Sequence, residues 1–333
     1  MAPSDVEWNR KTTRAAAVAH RYLGELLTHI EMTPLLISAR RAKVRGSDRM
    51  PTDNEIPIQH EREVRAGHRF RFGANWTHFL RRLNDARIAE AESNLKEFLG
   101  EELRRDKTFL DVGSGSGLSS LAARRLGATV TSFDFDPQSV ACTAELRRRY
   151  LAGDSSWTVE QGSILDKRYL GGLGQFDIVY SWGVLHHTGA MWQAMENVKS
   201  LVKPGGLLFI AIYNDCGEIS RIWHQRKRRY NGLPRLLRPL YVVYVWAPIE
   251  LRTLLSSLYS GKLKTYFGEL TSASSQRGMS RVHDIVDWVG GYPYEYASVS
   301  AITGFYESDG FQTVKVRENG SYGCHQIVFQ RQH

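Results

Sequence analysis

The sequence predicts an α/β fold, a seven-stranded, mostly parallel sheet with helices on both faces, extended by N-terminal helices and covered by a helical lid. Three observations predict it. From Thr108 onward, short apolar strands alternate with helical segments, the pattern of crossover connections in a parallel sheet. The alternation stops after Tyr213 and a long helical insertion runs to about Gly291, after which a helix and two strands complete the sheet. The chain has 333 residues, 42% hydrophobic and 24% charged, enough for one large domain with appendages.

In order, residues 1–100 read as a helical extension that caps the cofactor and substrate, and 101–333 as the sheet domain with its insertion at about 214–291. AAAVAHRYLGELLTHI (15–30) has helical spacing, and ARRAKVRGSDRMPTDNEIP (39–57) reads as a basic linker. Trp76–Leu99 reads as one or two helices with charged outer faces. Then come TFLDV (strand), LSSLAARRL (helix), ATVTSFD (strand), PQSVACTAELRRRYL (helix), SWTVEQ and QFDIVYSW (strands). AMWQAMENVKSLV is a helix stopped by KPGG, and GLLFIAIY is a strand. Val299–Ser308 is a helix, and Phe311–Gln330 reads as two strands joined through ENGSYG, whose Asn-Gly is a turn signal.

Composition narrows the function. The net charge of +9 favours anionic partners without choosing among them, and no RNA-recognition module is visible, so no nucleic-acid partner is expected. Cys142, Cys216 and Cys324 are too scattered for a zinc site or a disulfide framework and suit a reducing cytoplasm. The N-terminus lacks the apolar core of a signal peptide, and no run reaches the ~18 apolar residues of a membrane span.

FLDVGSGSGLSS places Gly113, Gly115 and Gly117 between a strand and a helix, a loop that lets backbone approach a ligand closely. Its spacing is GxGxG rather than the GxGxxG of a dinucleotide site, which favours a nucleoside without a pyrophosphate. Asp134, 19 residues after Gly115, stands at the tip of the next strand, where a carboxylate can accept both hydrogens of a ribose diol. Asp136, directly before Pro137, better fits a helix N-cap.

DVGSGSG, SFDFD, QGSILD and FDIVYSWGVLHH, with VKPGGLLFI following, resemble the class I S-adenosylmethionine-dependent methyltransferases over roughly Thr108–Gln330, and loosely the branch of ubiquinone-biosynthesis O-methyltransferases. The resemblance implies a Rossmann-like sheet in the order 3-2-1-4-5-7-6 and methyl transfer from S-adenosylmethionine to a small molecule, most simply at oxygen. It also implies site residues. Asp111, Gly113, Ser114, Gly115 and Gly117 would hold the methionine end, Asp134 the ribose, and Phe135, Ser163 and Ile164 the adenine. Ser181 and Trp182 would line the reaction face. Ser163 departs from the acid common in the family.

WGVLHH leaves two candidate bases at that face, His187 as the loop-facing one and His186 as a brace, because neighbouring side chains cannot point the same way. Asn214-Asp215 follows the fifth strand where catechol-type relatives bind metal, but Ser181 stands where such enzymes need an acid, so no metal is expected. On the acceptor side, GGYPYE, with Tyr292 and Tyr294, reads as a fixed loop lining a pocket, joined by Tyr213 and Asn214. RFRFGANW, with Trp76, closes over the same pocket. PLYVVYVWAPIELRTLL reads as a buried lid helix, interrupted at Pro248. Its alternative is a membrane-interface helix giving peripheral contact through about 220–260. N-, S- or C-methylation, a macromolecular acceptor and a non-catalytic cofactor-binding module remain open. The oligomeric state is not legible.

Overall fold

The computed structural model describes residues 55–73, 83–100, 106–266, 281–320 and 323–333, together with Trp76, Leu80 and Leu103. The expected helix at 15–30 and all but the last three residues of the 39–57 segment lie outside the described residues. Pro51–His333 forms one compact unit.

Strands β1 (Thr108–Val112), β2 (Thr129–Asp134), β3 (Trp157–Gln161), β4 (Phe176–Trp182), β5 (Val202–Tyr213), β6 (Phe311–Arg317) and β7 (Cys324–Arg331) form one sheet in the order β3-β2-β1-β4-β5-β7-β6. The first five are parallel, and β7 runs antiparallel to β5 and β6. The chain leaves β1 toward β2 and β3, then returns to β4 on the other side. This reversal opens a crevice at the carboxyl ends of β1 and β4, where α/β sheets bind ligands.

Side-chain alternation divides the core. On β1, Phe109 faces one layer and Leu110 and Val112 the other. The first layer is built by α2 (Asp85–Leu99), α3 (Leu118–Arg125) and α4 (Pro137–Tyr150), through Ile88, Phe98, Leu121 and Leu146. The second is built by α5 (Lys167–Leu173), α6 (Met191–Lys199) and α10 (Val299–Glu307), through Leu170, Met195, Ile302 and Tyr306. On β5, Leu208, Ile210 and Ile212 enter the second layer. Ala211 and Tyr213 enter a third, aromatic cluster made with α7 (Glu218–Gly232), α8 (Arg238–Tyr259) and α9 (Arg281–Gly290). Period-2 geometry thus aims Tyr213 at the insertion. α2 is capped by Asn84 and α4 by Asp136, whose side chains accept from the Arg87 and Gln138 amides.

Four readings are corrected. The linker ends before Glu55, because α1 (Glu55–Arg65) starts there with Pro57 in its first turn, where a missing N–H breaks no helical bond. KPGG lies inside β5 rather than between a helix and a strand. The register against β4 jumps from Phe176–Val202 to Ile178–Leu207, so the glycines form an irregularity within a continuous strand. Pro248 does not interrupt α8, which runs unbroken through it, anchored by its inner face. Nor is α8 buried: Val245 is its one buried side chain, while Leu240, Val243, Tyr244, Leu251, Leu255 and Leu258 are each more than half exposed.

Candidate functional site

The glycine loop closes the crevice from below. The Gly113 and Ser114 amides both donate to the Phe133 carbonyl, at 2.9 and 3.1 Å, tying the loop to β2. Gly113 has φ +78°, and a Cβ there would lie 2.3 Å from Val184 Cγ1, just past β4. Gly174 has a similar φ of +77° but open space around it. Gly113→Ala is therefore expected to cost about 3 kcal/mol of stability, against about 1 kcal/mol for Gly174→Ala, where only the backbone is strained. Urea unfolding of both variants checks the difference.

Asp134 sits at the tip of β2. Its Oδ2 accepts from the Gly115 amide at 2.9 Å and its Oδ1 from the Asp136 amide at 2.8 Å. Each oxygen keeps a second lone pair. Burial pushes the carboxyl up to about 6, against the opposing effect of these two amides. Asp136 goes the other way. Burial raises it, but His60 at 3.4 Å and the Gly73 and Gln138 amides outweigh that and hold it below the usual range.

Asp111 is only 2% exposed, and Ser120 Oγ donates to it at 2.5 Å. Ser120 continues to Ser132, which takes the Trp157 indole N–H, so this carboxylate is the end of a buried relay linking β1, α3, β2 and β3. Burial pushes it up to about 7. Ser114 turns to Thr143, their hydroxyls 3.0 Å apart. Ser163 Oγ accepts from the Leu165 amide, closing a turn, and buried Ile164 receives the Asn197 amide on its carbonyl. Ser181 is fully buried and donates to the Val112 carbonyl, bracing β4 on β1. Trp182 packs between the first-layer core and the aromatic cluster.

The two histidines differ sharply. His186 is fully buried. Its ring lies 4.0 Å from that of Tyr213, its Nδ1 is 3.4 Å from the Tyr213 amide, and its carbonyl takes the Glu295 amide. His187 is half-buried, with Nδ1 2.5 Å from the Pro293 carbonyl. A carbonyl only accepts, so Nδ1 carries the hydrogen and Nε2 is the basic nitrogen of the neutral ring. Phe72 and Tyr213 flank that ring at 4.7 and 5.4 Å.

The GGYPYE loop is fixed at almost every residue. Gly290 and Tyr292 accept on their carbonyls from Asn231 and Phe70, Tyr294 from His224, and Ala297 donates to Tyr213. Glu295 Oε2 accepts from the Met191 amide at the start of α6, and burial raises its carboxyl. Tyr213 and Tyr294 meet ring to ring at 5.0 Å, and burial pushes the Tyr294 phenol well up. Buried Lys227 stands over Trp288 and Tyr294, behind them. Asn214 is not part of this face. Its side chain bridges Asn319 and His325, at 2.8 and 2.7 Å, anchoring the β6–β7 hairpin. Asp215 caps the Gly217 amide, and no group of three or more His, Cys, Asp or Glu suited to a metal occurs among the described residues.

RFRFGANW folds over both halves. Trp76 covers Gly115, whose Cβ would stand 3.2 Å from the indole. Arg69 spans the gap. Its guanidinium lies 4.8 Å over Phe135, pairs with Glu63 at 2.7 Å and donates to the His187 carbonyl at 3.0 Å. The other flank of Phe135 meets His60 at 5.6 Å.

A methyltransferase domain family matches residues 78–254, more than half of the chain. The chain belongs to this methyltransferase family. The chain is 30% identical over 146 residues to a ubiquinone biosynthesis O-methyltransferase of Parvibaculum lavamentivorans, covering 40% of this chain and 53% of that one. It is 33% identical over 109 residues to the like-named protein of Caulobacter vibrioides, covering 32% and 41%. The chain spans about half the length of the curated relatives it matches. A solved O-methyltransferase family protein from Burkholderia thailandensis shares 17% identity at a TM-score of 0.45, over 74% of this chain and 58% of that one.

Sequence reasoning missed several residues that shape the site: His60, Glu63, Ser120, Thr143, Trp288 and Glu295. His60, Thr143 and Trp288 act across long sequence separations that no local motif marks, Glu63 pairs with Arg69 six residues on, and Ser120 and Glu295 close the FLDVGSGSGLSS and GGYPYE segments, whose spacing does not name their partners. Arg69 and Phe72 carried a signal in the alternating RFRF, which names the segment but not its partners.

Proposed function

We propose that this chain transfers a methyl group from S-adenosylmethionine to an oxygen atom of a small-molecule acceptor by in-line displacement. The observation that carries the reading is Arg69, which fastens Phe135 at the nucleoside side to the backbone of His187 at the acceptor side, so that cradle and base share one rigid frame. The matched relatives carry the name O-methyltransferase, which supports oxygen.

The residues fit the cofactor. Asp134 retains one lone pair per oxygen for the two ribose hydroxyls, and the backbone of the Gly113–Gly117 loop, with Trp76 over Gly115, would hold the methionine end. Phe135, Ser163 and Ile164 border the adenine side. Ser181 and Trp182 shape the floor beside the methionine end, and Asp111 and Ser114 act from beneath, as braces of the loop. When bound, S-adenosylmethionine supplies an electrophilic methyl on a sulfonium. Trp76, Tyr213, Tyr292 and Tyr294 border the acceptor and exclude water, while His187 Nε2 takes the acceptor's proton. Positioning is the larger part, on the order of 7–11 kcal/mol in well-oriented reactions.

Incubation of the chain with methyl-tritiated S-adenosylmethionine and a fractionated extract tests the reading. Label is expected in the small-molecule or lipid fraction. Label in protein or nucleic acid overturns the acceptor class, and cofactor binding without any transfer to these fractions, with or without added acceptor candidates, favours a binding module. A pH series adds a second test. Asp134 accepts the diol only as a carboxylate, and its folded value of about 6 lies above the usual 3.8. Cofactor affinity is therefore expected to be full above pH 6 and to fall roughly tenfold per unit below it. Calorimetric titration shows the slope, and Asp134→Asn should flatten it.

A further inference from the structure

The outward face of α8 has no charge along its whole length. At 100° per residue, Leu240, Tyr244, Ala247, Leu251, Leu255 and Leu258 fall within a sector of about 80°. The five large side chains of this stripe are 55–68% exposed. Leu236, 91% exposed, and Leu237 extend it through the 3₁₀ turn Arg235–Leu237, and Tyr259, 97% exposed, ends it. The opposite face, with Tyr241, Val242, Val245, Trp246 and Ile249, packs on the aromatic cluster that holds Tyr213 and Tyr294. The stripe is about 33 Å long, far more apolar surface than scattered exposed leucines give.

Charge says what covers it. Between Ile219 and Tyr266 the chain has ten Lys or Arg and one acid, Glu250, so this segment alone matches the net charge of +9. Glu250 is turned inward, accepting from Trp246 and Tyr266. Arg228, Arg229 and Arg235 are exposed before the stripe, and Lys262 and Lys264 after it. At the Arg235 end a cavity of about 440 Å³ is lined by Arg65, Arg235 and Arg238, the last fixed by the Leu233 and Asn231 carbonyls. An apolar stripe between two cationic ends matches an anionic lipid surface, with acyl chains under the leucines and headgroup phosphates at the arginines and lysines. A second copy fits poorly. Pairing α8 with itself, parallel or antiparallel, sets basic end against basic end. No helix of the described residues is long and apolar enough to cross a membrane, so α8 would lie in the interface rather than span it.

We infer that α8 is a peripheral docking helix for anionic membranes. The inference does not depend on the methyl-transfer reading, and cofactor titration of the same variants keeps the two separable. The full chain is sedimented with vesicles of phosphatidylcholine alone and of equimolar phosphatidylcholine and phosphatidylglycerol. It is expected to bind the mixed vesicles at least about tenfold more tightly, and less so at high salt. Leu240→Glu/Leu251→Glu should weaken that binding at least about tenfold, with the circular dichroism spectrum unchanged. Arg235→Glu/Lys264→Glu, which leaves the stripe intact, should remove the preference for phosphatidylglycerol. Absence of vesicle binding overturns the inference, as does binding unchanged in both variants. A dimer in sedimentation velocity that Leu240→Glu abolishes, without vesicle binding, would assign the stripe to self-association instead.

Discussion

Replacing Asp134 by Ala is expected to raise the S-adenosylmethionine dissociation constant at least about a hundredfold, because hydrogen bonds to a charged acceptor contribute about 1.5–3 kcal/mol each and the diol loses two. The substitution does more than delete the ligand's acceptors. It also orphans the Gly115 and Asp136 amides, which Asp134 holds at 2.9 and 2.8 Å, and so loosens the glycine loop from within. Asp134→Asn separates the two effects. Its one carbonyl oxygen can keep one amide and one hydroxyl, so an intermediate loss of about tenfold is expected. Both variants should fold, since removing a carboxyl raised to about 6 by burial also removes a desolvated charge at neutral pH. Titration calorimetry with a parallel melting curve decides it. Affinity within about threefold of the wild type in Asp134→Ala would end the ribose assignment.

The same residue shows why part of this molecule is readable from sequence and part is not. Strands β1 and β6 and the start of α4 lie where apolar runs and Pro137 put them, and the sheet order follows from the resemblance, because hydrophobic period and helix signals are local quantities. KPGG misled for the same reason. Gly and Pro read as a break, but β4 supplies enough pairing to carry β5 through the irregularity. α8 misled in the opposite direction. A run of Tyr, Val, Trp and Leu reads as core, yet only about half of its circumference finds a neighbour, and composition cannot say which half. At the site, Asp134, the glycines and the histidine pair announce themselves by spacing. The Arg69 bridge and the Ser120–Ser132–Trp157 relay depend on contacts between distant segments, and only the folded chain brings them together. Asn214 shows the converse: its place after β5 suggests the acceptor, but its two polar ends are taken by Asn319 and His325.

The adjacent histidines separate into two testable roles. His187→Gln is expected to lower kcat by roughly 10²–10⁴-fold, the usual contribution of a positioned general base, with a smaller change in KM. The Pro293 carbonyl decides which nitrogen is basic. By holding Nδ1–H at 2.5 Å it fixes the tautomer, so that Nε2 is the atom able to take a proton. Gln at this position can still donate to that carbonyl but has no basic nitrogen. The kcat of the wild type should therefore rise with pH as the base loses its proton, and that of His187→Gln should lose the dependence. His186→Gln should behave differently. His186 is fully buried between Tyr213 and the Glu295 amide, so its loss is expected to destabilise the fold by about 1–3 kcal/mol while the remaining folded enzyme keeps kcat within about threefold. Small, equal losses of kcat in both variants would remove His187 from proton transfer and leave positioning by the Arg69 frame as the source of rate. A large loss in His186→Gln with a normal melting curve would reverse the two assignments. In either case the pH profile, which bracing does not move, separates a base from a support.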